Sequence, residues 1–315
     1  MGLPRGLLVH PDELGELWIS RLRGSDIKIV GLHPVGGKKA HESLEELRLD
    51  LLAGKFDRHF AALREMGIEI EFEAHAMSWL LPREEFAIHP DWFRMNGEGE
   101  RVGDFNLCPS SNEALEYVSR RAAELARVLR PTTHRYYFWI DDVRDSYCHC
   151  PACRGLSPSD QALLIYNAML SGILTVDPLA THCYLAYQAT RDVPKKVTPS
   201  EGIFLEYAPF DRDFHCPLSD VTCEKNVTEA APLPDLLHFF GQKGAKVLEY
   251  WLDNSLFSKW KKPPALFVPD VPVMKSDLAF YDALGFEDAT VFACYLGPDY
   301  EALHGAPRIE AYLNQ

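Results

Sequence analysis

The chain has 315 residues, 47% of them hydrophobic and 25% charged, with a net charge of −14 at pH 7. That acidity opposes nucleic acid and anionic membrane surfaces as partners, because both would repel it, and no stretch approaches the roughly 20 apolar residues needed to cross a bilayer. A chain of this size can bury a core without disulfide staples. Its opening, MGLPRGLLVHPDEL, lacks the long apolar core of a signal peptide, so the chain as numbered is expected in the cytoplasm, with export open if a leader has been removed.

Short apolar runs alternate with helical patterns from end to end, without repeats or low-complexity linkers, and such alternation predicts a parallel sheet with helices outside it. The runs are residues 6–10 (GLLVH), 27–33 (IKIVGLH), 68–75 (IEIEFEAH), 136–141 (YYFWID), 182–187 (HCYLAY), 203–207 (IFLEY), 247–252 (VLEYWL) and 290–296 (TVFACYL). Most are rich in β-branched or aromatic residues, as strands are. Helical patterns fill the gaps at 13–23, 44–66, 112–129 (capped by Ser111 or Asn112), 159–174 (capped by Ser157 or Ser159), 232–242, 275–284 and 299–313. Only the gap between the fifth and sixth runs has no convincing helix. Eight strands and seven helices predict an α/β chain folded as a single-domain (β/α)₈ TIM barrel over residues 1–315, with the helix between strands five and six degenerate. The alternative is an open doubly wound sheet, but no Gly-rich phosphate loop follows the first strand.

Active sites of such barrels lie at the C-terminal strand ends. The first two runs end in His10 and His33. The third alternates, with Glu69, Glu71, Glu73 and His75 on one face and Ile68, Ile70, Phe72 and Ala74 on the other. The polar face is expected inside the barrel, where its carboxylates need either ion-pair partners or a wet cavity. Glu73 and His75, nearest the top, are candidates for the site. The fourth run delivers the adjacent acids Asp141 and Asp142, the sixth Glu206, and the seventh Glu249, Trp251 and Asp253. Glycoside hydrolysis requires two carboxyl groups flanking the scissile bond, and an acid from strand four with one from strand six or seven would span a barrel mouth. Among the aromatic residues Trp79, Trp92, Tyr184, Tyr187, Tyr207, Tyr250, Trp251 and Tyr295, Trp79 and Trp251 are the favoured sugar platforms.

Three of the eight cysteines crowd into Cys148-His149-Cys150-Pro151-Ala152-Cys153. Thiolates so spaced can converge on one structural zinc, with His149, His215, Cys216 or Cys223 as the fourth ligand; a disulfide and free thiols are the alternatives. Three thiolates would make a poor Lewis acid, so no cofactor is expected in catalysis. Asn226-Val227-Thr228 has the form of a glycosylation sequon, which at this motif length is read as chance.

Residues 138–170, FWIDDVRDSYCHCPACRGLSPSDQALLIYNAML, resemble the signature of a barrel family of largely unknown function, some of whose members are endo-β-N-acetylglucosaminidases. In that family an acid ends strand four, a Cys-x-Cys-x₂-Cys follows, and a helix beginning near Ser-Pro-Ser carries a buried Asn. The segments LAYQATRDVPKK and HCPLSDVTCEKN are similar to the same family, while EFEAHAMSWLLP and HPDWFRMNGEGERVGDFNLCPSSNEAL are similar to segments of the α-glucuronidase and β-hexosaminidase barrels. The resemblance spans roughly residues 27–254.

It implies a glycoside hydrolase acting on a carbohydrate, an N-acetylhexosaminide or a uronide. Carried over from the hexosaminidases, Asp141 would orient an acetamido group and Asp142 would be the acid, though Asp stands here where Glu is expected. A direct mechanism pairs Asp142 with Glu206 or Glu249. His10, His33, Glu73, His75, Trp79, Tyr187, Tyr207, Trp251, Asp253 and Tyr295 would then shape the substrate pocket. Two rival readings are a non-catalytic carbohydrate-binding barrel and a metal-dependent sugar isomerase or epimerase holding a divalent ion with Glu73, His75, Glu206 and Glu249.

Overall fold

A computed structural model describes residues 2–314. Eight strands close into a barrel in chain order: β1 (Arg5–Val9), β2 (Ile29–Leu32), β3 (Glu69–His75), β4 (Arg135–Trp139), β5 (Thr181–Ala186), β6 (Ile203–Tyr207), β7 (Lys246–Glu249) and β8 (Asp288–Phe292). Every neighbouring pair is parallel, and β8 returns to β1 with Arg5 beside Ala289. The predicted (β/α)₈ TIM barrel is the fold observed.

The helices are α1 (Glu16–Leu22), α2 (Ala40–Leu52), α3 (Asp57–Glu65), α4 (Met77–Leu80), α5 (Asn112–Ala126), α6 (Pro158–Ile173), α7 (Glu224–Ala230), α8 (Leu233–Phe240), α9 (Asn254–Phe257), α10 (Val271–Leu284), α11 (Pro298–His304) and α12 (Glu310–Leu313). The helix expected over 44–66 is two, α2 and α3, broken where Gly54 turns at φ 72°. The pattern at 299–313 likewise divides into α11 and α12, with Gly305 (φ 77°) between them. Helix α5 starts on Ser111, whose side chain accepts from the Ala114 amide, and α6 on Ser157, which with Asp160 forms a reciprocal capping box.

Among the described residues no α-helix lies between β5 and β6. An extended strap runs there instead, tied to α6. Asp160 Oδ1 accepts from the amides of Lys195, Lys196 and Val197, and half-buried Asn167 brackets Thr198 and Ser200. These bonds satisfy backbone groups that a helix would have paired internally. Asn226 of the sequon is fully buried, bonding to Asp213, Cys216 and Pro217. It braces a loop and is closed to glycosylation.

The lower barrel interior is charged. Lys246 of β7 is completely buried, with its ammonium 3.1 Å from Glu71, in contact with Glu73, 4.0 Å from Glu206 and 4.0 Å from the Tyr137 ring centroid. Burial works against the ammonium, and Glu71, Glu73 and Glu206 more than offset it, raising its pKa. The carboxyls respond unequally. Burial acts to raise Glu71, but Lys246 and Arg135 prevail and hold it below the usual range. Burial pushes Glu73 well above the range and raises Glu206. One layer lower, Arg135 pairs with Asp288 and donates to the Gly244 carbonyl. Of the two readings of the β3 acid stripe, the ion-pair network is the one observed, and Glu69 sits exposed at the solvated lower end.

Lys246→Met should cost about 3–5 kcal/mol of stability, because it removes the ion-pair partner of the buried Glu71 carboxylate. A urea unfolding midpoint within error of the wild type would show the network to be dispensable.

Candidate active site

The C-terminal strand ends surround a cavity of about 540 Å³, within the range of roughly 300–1,000 Å³ usual for small-molecule sites. Its floor is apolar. Trp139 closes the barrel from above, its indole N–H donating to Glu206 Oε2 at 2.7 Å, and Phe292, Leu248 and Leu185 complete the layer. The glutamates lie beneath this floor and the cavity above it.

Three histidines from consecutive strand ends form one wall. His10 donates through Nδ1 to the His33 carbonyl (2.8 Å), and His33 through Nδ1 to the Glu73 carbonyl (2.9 Å), which leaves Nε2 of each ring with a lone pair. Burial lowers His10, and burial together with the neighbouring His10 and His75 takes His33 well below its ordinary value. Both rings are therefore neutral acceptors suited to hydroxyl groups. His75 stands with Nδ1 3.7 Å from Asp142 Oδ2. A Cβ on Gly36 would come within 2.5 Å of the His75 ring, so a side chain there would displace that ring.

Two carboxylates line the cavity, Asp142 and Asp253. Asp253 follows β7 and caps α9, its Oδ1 accepting from the Ser255 amide and hydroxyl and from the Leu256 amide. That leaves Oδ2 for the cavity. Burial pushes the group up to about 6, against the lowering effect of those hydrogen bonds. Tyr187, Phe210, Tyr250, Tyr295 and Trp260 add aromatic wall, beside Val35, Lys39, Ser255 and Cys294. Trp260 is 63% exposed at the lip and held at φ 53°, a left-handed backbone rarely adopted by a bulky residue.

Of the residues expected from sequence, His10, His33, His75, Asp142, Tyr187, Asp253 and Tyr295 meet in this cavity. The others lie elsewhere. Asp141 turns to Arg83 (2.7 Å), its backbone is clamped by Asn106, and burial raises its carboxyl despite that arginine. Glu206 and Glu73 are under the floor with Lys246. Glu249 points outward from β7 to Arg212 and Tyr281, and burial takes it to about 7. These placements remove Glu206 and Glu249 as the second carboxylate at the mouth, and they disperse the Glu73, His75, Glu206 and Glu249 set proposed for a divalent ion.

Trp79 is buried beneath Arg121, with its N–H on Glu45. Trp251 is buried with its N–H on Asp277 of α10, and Tyr207 bonds to the Glu229 carbonyl. None of the three reaches the mouth. Sequence reasoning missed Trp139, Phe210, Ser255, Trp260 and Phe292; for Trp260 the available signal was a tryptophan in a long polar connection, where no core requires one.

The cysteine motif gains a fourth thiol that the spacing did not reveal. Cys148, Cys150 and Cys153 cluster with Cys108, which precedes α5, and all four are buried free thiols. His149 faces Asp145 instead, and Cys216 and Cys223 group separately with Asp213.

Residues 53–232, more than half of the chain, match the family described as "Domain of unknown function (DUF4838)". The chain belongs to that family. None of the curated proteins matches the sequence. Among solved structures, this DUF4838 chain is similar to a β-galactosidase from the psychrophilic Marinomonas ef1, at 12% identity and TM-score 0.46, over 92% of this chain and 54% of that one, so it spans about half the length of that relative. It is also similar to the catalytic domain of a Thermobifida fusca endoglucanase (9% identity, TM-score 0.43, 97% of this chain and 82% of that one) and to a xylose isomerase domain protein from Planctomyces limnophilus (11%, 0.38, 92% and 90%).

Because Asp253 holds its proton more tightly folded than unfolded, its contribution to stability is full below the ordinary aspartate value and is lost as pH rises through about 6. Relative to Asp253→Asn, the wild type should therefore lose about 2–3 kcal/mol between pH 4 and pH 8, measured by paired urea titrations. A difference that stays flat with pH would contradict the assignment.

Proposed function

We propose that the barrel mouth binds carbohydrate and that the chain is a glycoside hydrolase using Asp142 and Asp253. The observation that carries this reading is a cavity with an aromatic floor and walls that offers two carboxyl groups, one after β4 and one after β7. Flat rings suit the apolar faces of sugars, and neutral His10 and His33 supply acceptors for hydroxyls. A glycosidase needs one carboxyl protonated and the other ionised. Burial keeps Asp253 protonated up to about pH 6, which suits the general acid; Asp142, with His75 beside it, is assigned the nucleophile or base. This exchanges the roles expected from sequence, where Asp142 was the acid. The acetamido-assisted route is disfavoured, since Asp141 is held by Arg83 outside the cavity.

With a panel of aryl glycosides, including N-acetylhexosaminides and uronides, Asp142→Asn and Asp253→Asn should each lower kcat/KM by about 10²–10⁴-fold. The wild-type rate should fall about tenfold per pH unit above about 6, as Asp253 loses its proton. Trp260→Ala should weaken substrate binding about tenfold through lost stacking. Undiminished turnover in Asp142→Asn would reject the assignment, and glycan binding without turnover at any pH would favour a non-catalytic sugar-binding barrel.

A further inference from the structure

The four clustered cysteines stand at one edge of the mouth, outside the cavity. Cys108 lies in the connection from β3 to α5, and Cys148, Cys150 and Cys153 in the connection from β4 to α6. Their sulfur atoms all lie within 4.8 Å of one another, with Cys108 3.7 Å from Cys150 and 3.8 Å from Cys153. Zinc–sulfur bonds of about 2.3 Å directed to a tetrahedron put sulfurs about 3.8 Å apart along each edge. A disulfide would need about 2.05 Å. An iron–sulfur cluster arranges its thiolates around several metal atoms and would hold them farther apart.

The surroundings suit thiolates. The Met95 amide donates to Cys148 Sγ at 3.3 Å, the Arg101 guanidinium approaches the same sulfur at 3.8 Å, and the Ser110 hydroxyl lies 2.9 Å from Cys153 Sγ. A tetrathiolate zinc carries two net negative charges, which these donors and the arginine partly offset. The four thiols form a buried cluster of their own, apart from the main core, with Met95 packed against it.

We infer that Cys108, Cys148, Cys150 and Cys153 bind one structural zinc ion that clamps these two connections together. Four thiolates fill the tetrahedron and leave no open position for substrate. The clamp bears on the mouth through short chain segments. Two residues before Cys108, Asn106 holds the Asp141 backbone through its side chain and also donates to the Ser146 carbonyl; Ser146 lies two residues before Cys148. Zinc would thus set where the loop bearing Asp142 rests. That consequence rests on the glycoside hydrolase reading, whereas the metal site does not.

The test is elemental analysis of the full chain, purified without added metal and desalted. One zinc per chain is expected. Cys108→Ser should lose it, while the double variant Cys216→Ala with Cys223→Ala should keep it. Should Cys108→Ser fail to fold, cobalt exchanged into the wild type gives a second reading, as the intense visible absorption of a tetrahedral tetrathiolate centre. Hydrogen exchange should quicken over residues 91–108 and 143–154 once the metal is removed, whether or not any glycoside is turned over. Folded wild type without stoichiometric metal, stoichiometric iron in place of zinc, or zinc lost from the Cys216 and Cys223 variant but kept in Cys108→Ser would each overturn the proposal.

Discussion

A single ammonium group governs the interior of this barrel. Lys246 is wholly enclosed, and three glutamates from β3 and β6 turn toward it. One ammonium cannot neutralise three carboxylates in a medium of low polarity, and the three carboxyls divide: Glu71 is held below the usual range, while burial pushes Glu73 well above it and raises Glu206. Trp139 seals the arrangement from above by donating to Glu206. The acids that a strand pattern marks as candidates are thereby engaged with Lys246 inside the barrel, and the cavity at the mouth is lined by residues one layer higher.

Those upper residues depend on pins rather than on the strands themselves. Asp253 is aimed by its own capping bonds to Ser255 and Leu256, and His10 and His33 by carbonyls of the neighbouring strand ends. The loop after β4 is held at several points, by Arg83 on Asp141, by Asn106 on the backbone, and by Gln161, which both donates to and accepts from Cys148. Precise placement of a carboxylate on a loop requires such external support, since a free loop would scatter it over several ångströms.

Part of this was legible in one dimension. The alternation in β3 correctly turned Glu71, Glu73 and His75 inward, because side chains of a strand alternate between faces. Depth was not legible: Glu73 and His75 differ by two residues, yet one is sealed with Lys246 and the other stands at the rim. On β7 the expectation that Glu249, Trp251 and Asp253 are all delivered to the mouth held only for Asp253, for a reason of parity and length. Lys246 and Leu248 face inward, so Glu249 must face α10, and β7 ends there, so no alternation carries on to Asp253. Trp79 and Trp251 were misjudged because an indole with a buried N–H partner packs as well between helices as it does against a sugar.

The sequence by itself determined the barrel, the helix caps to within a residue or two of Ser111 and Ser157, the missing helix after β5, and the strand ends from which a site would be drawn. Periodicity and capping act over a few neighbouring residues, and those neighbours are visible in a string. Only the tertiary structure decided that Cys108 joins a motif some 40 residues away, that Asp253 rather than Glu206 or Glu249 lines the cavity with Asp142, and that Trp260 stands at the lip. Each of these depends on how far a loop travels before it meets another, and that distance is set by barrel closure and by the packing of the enclosed charges.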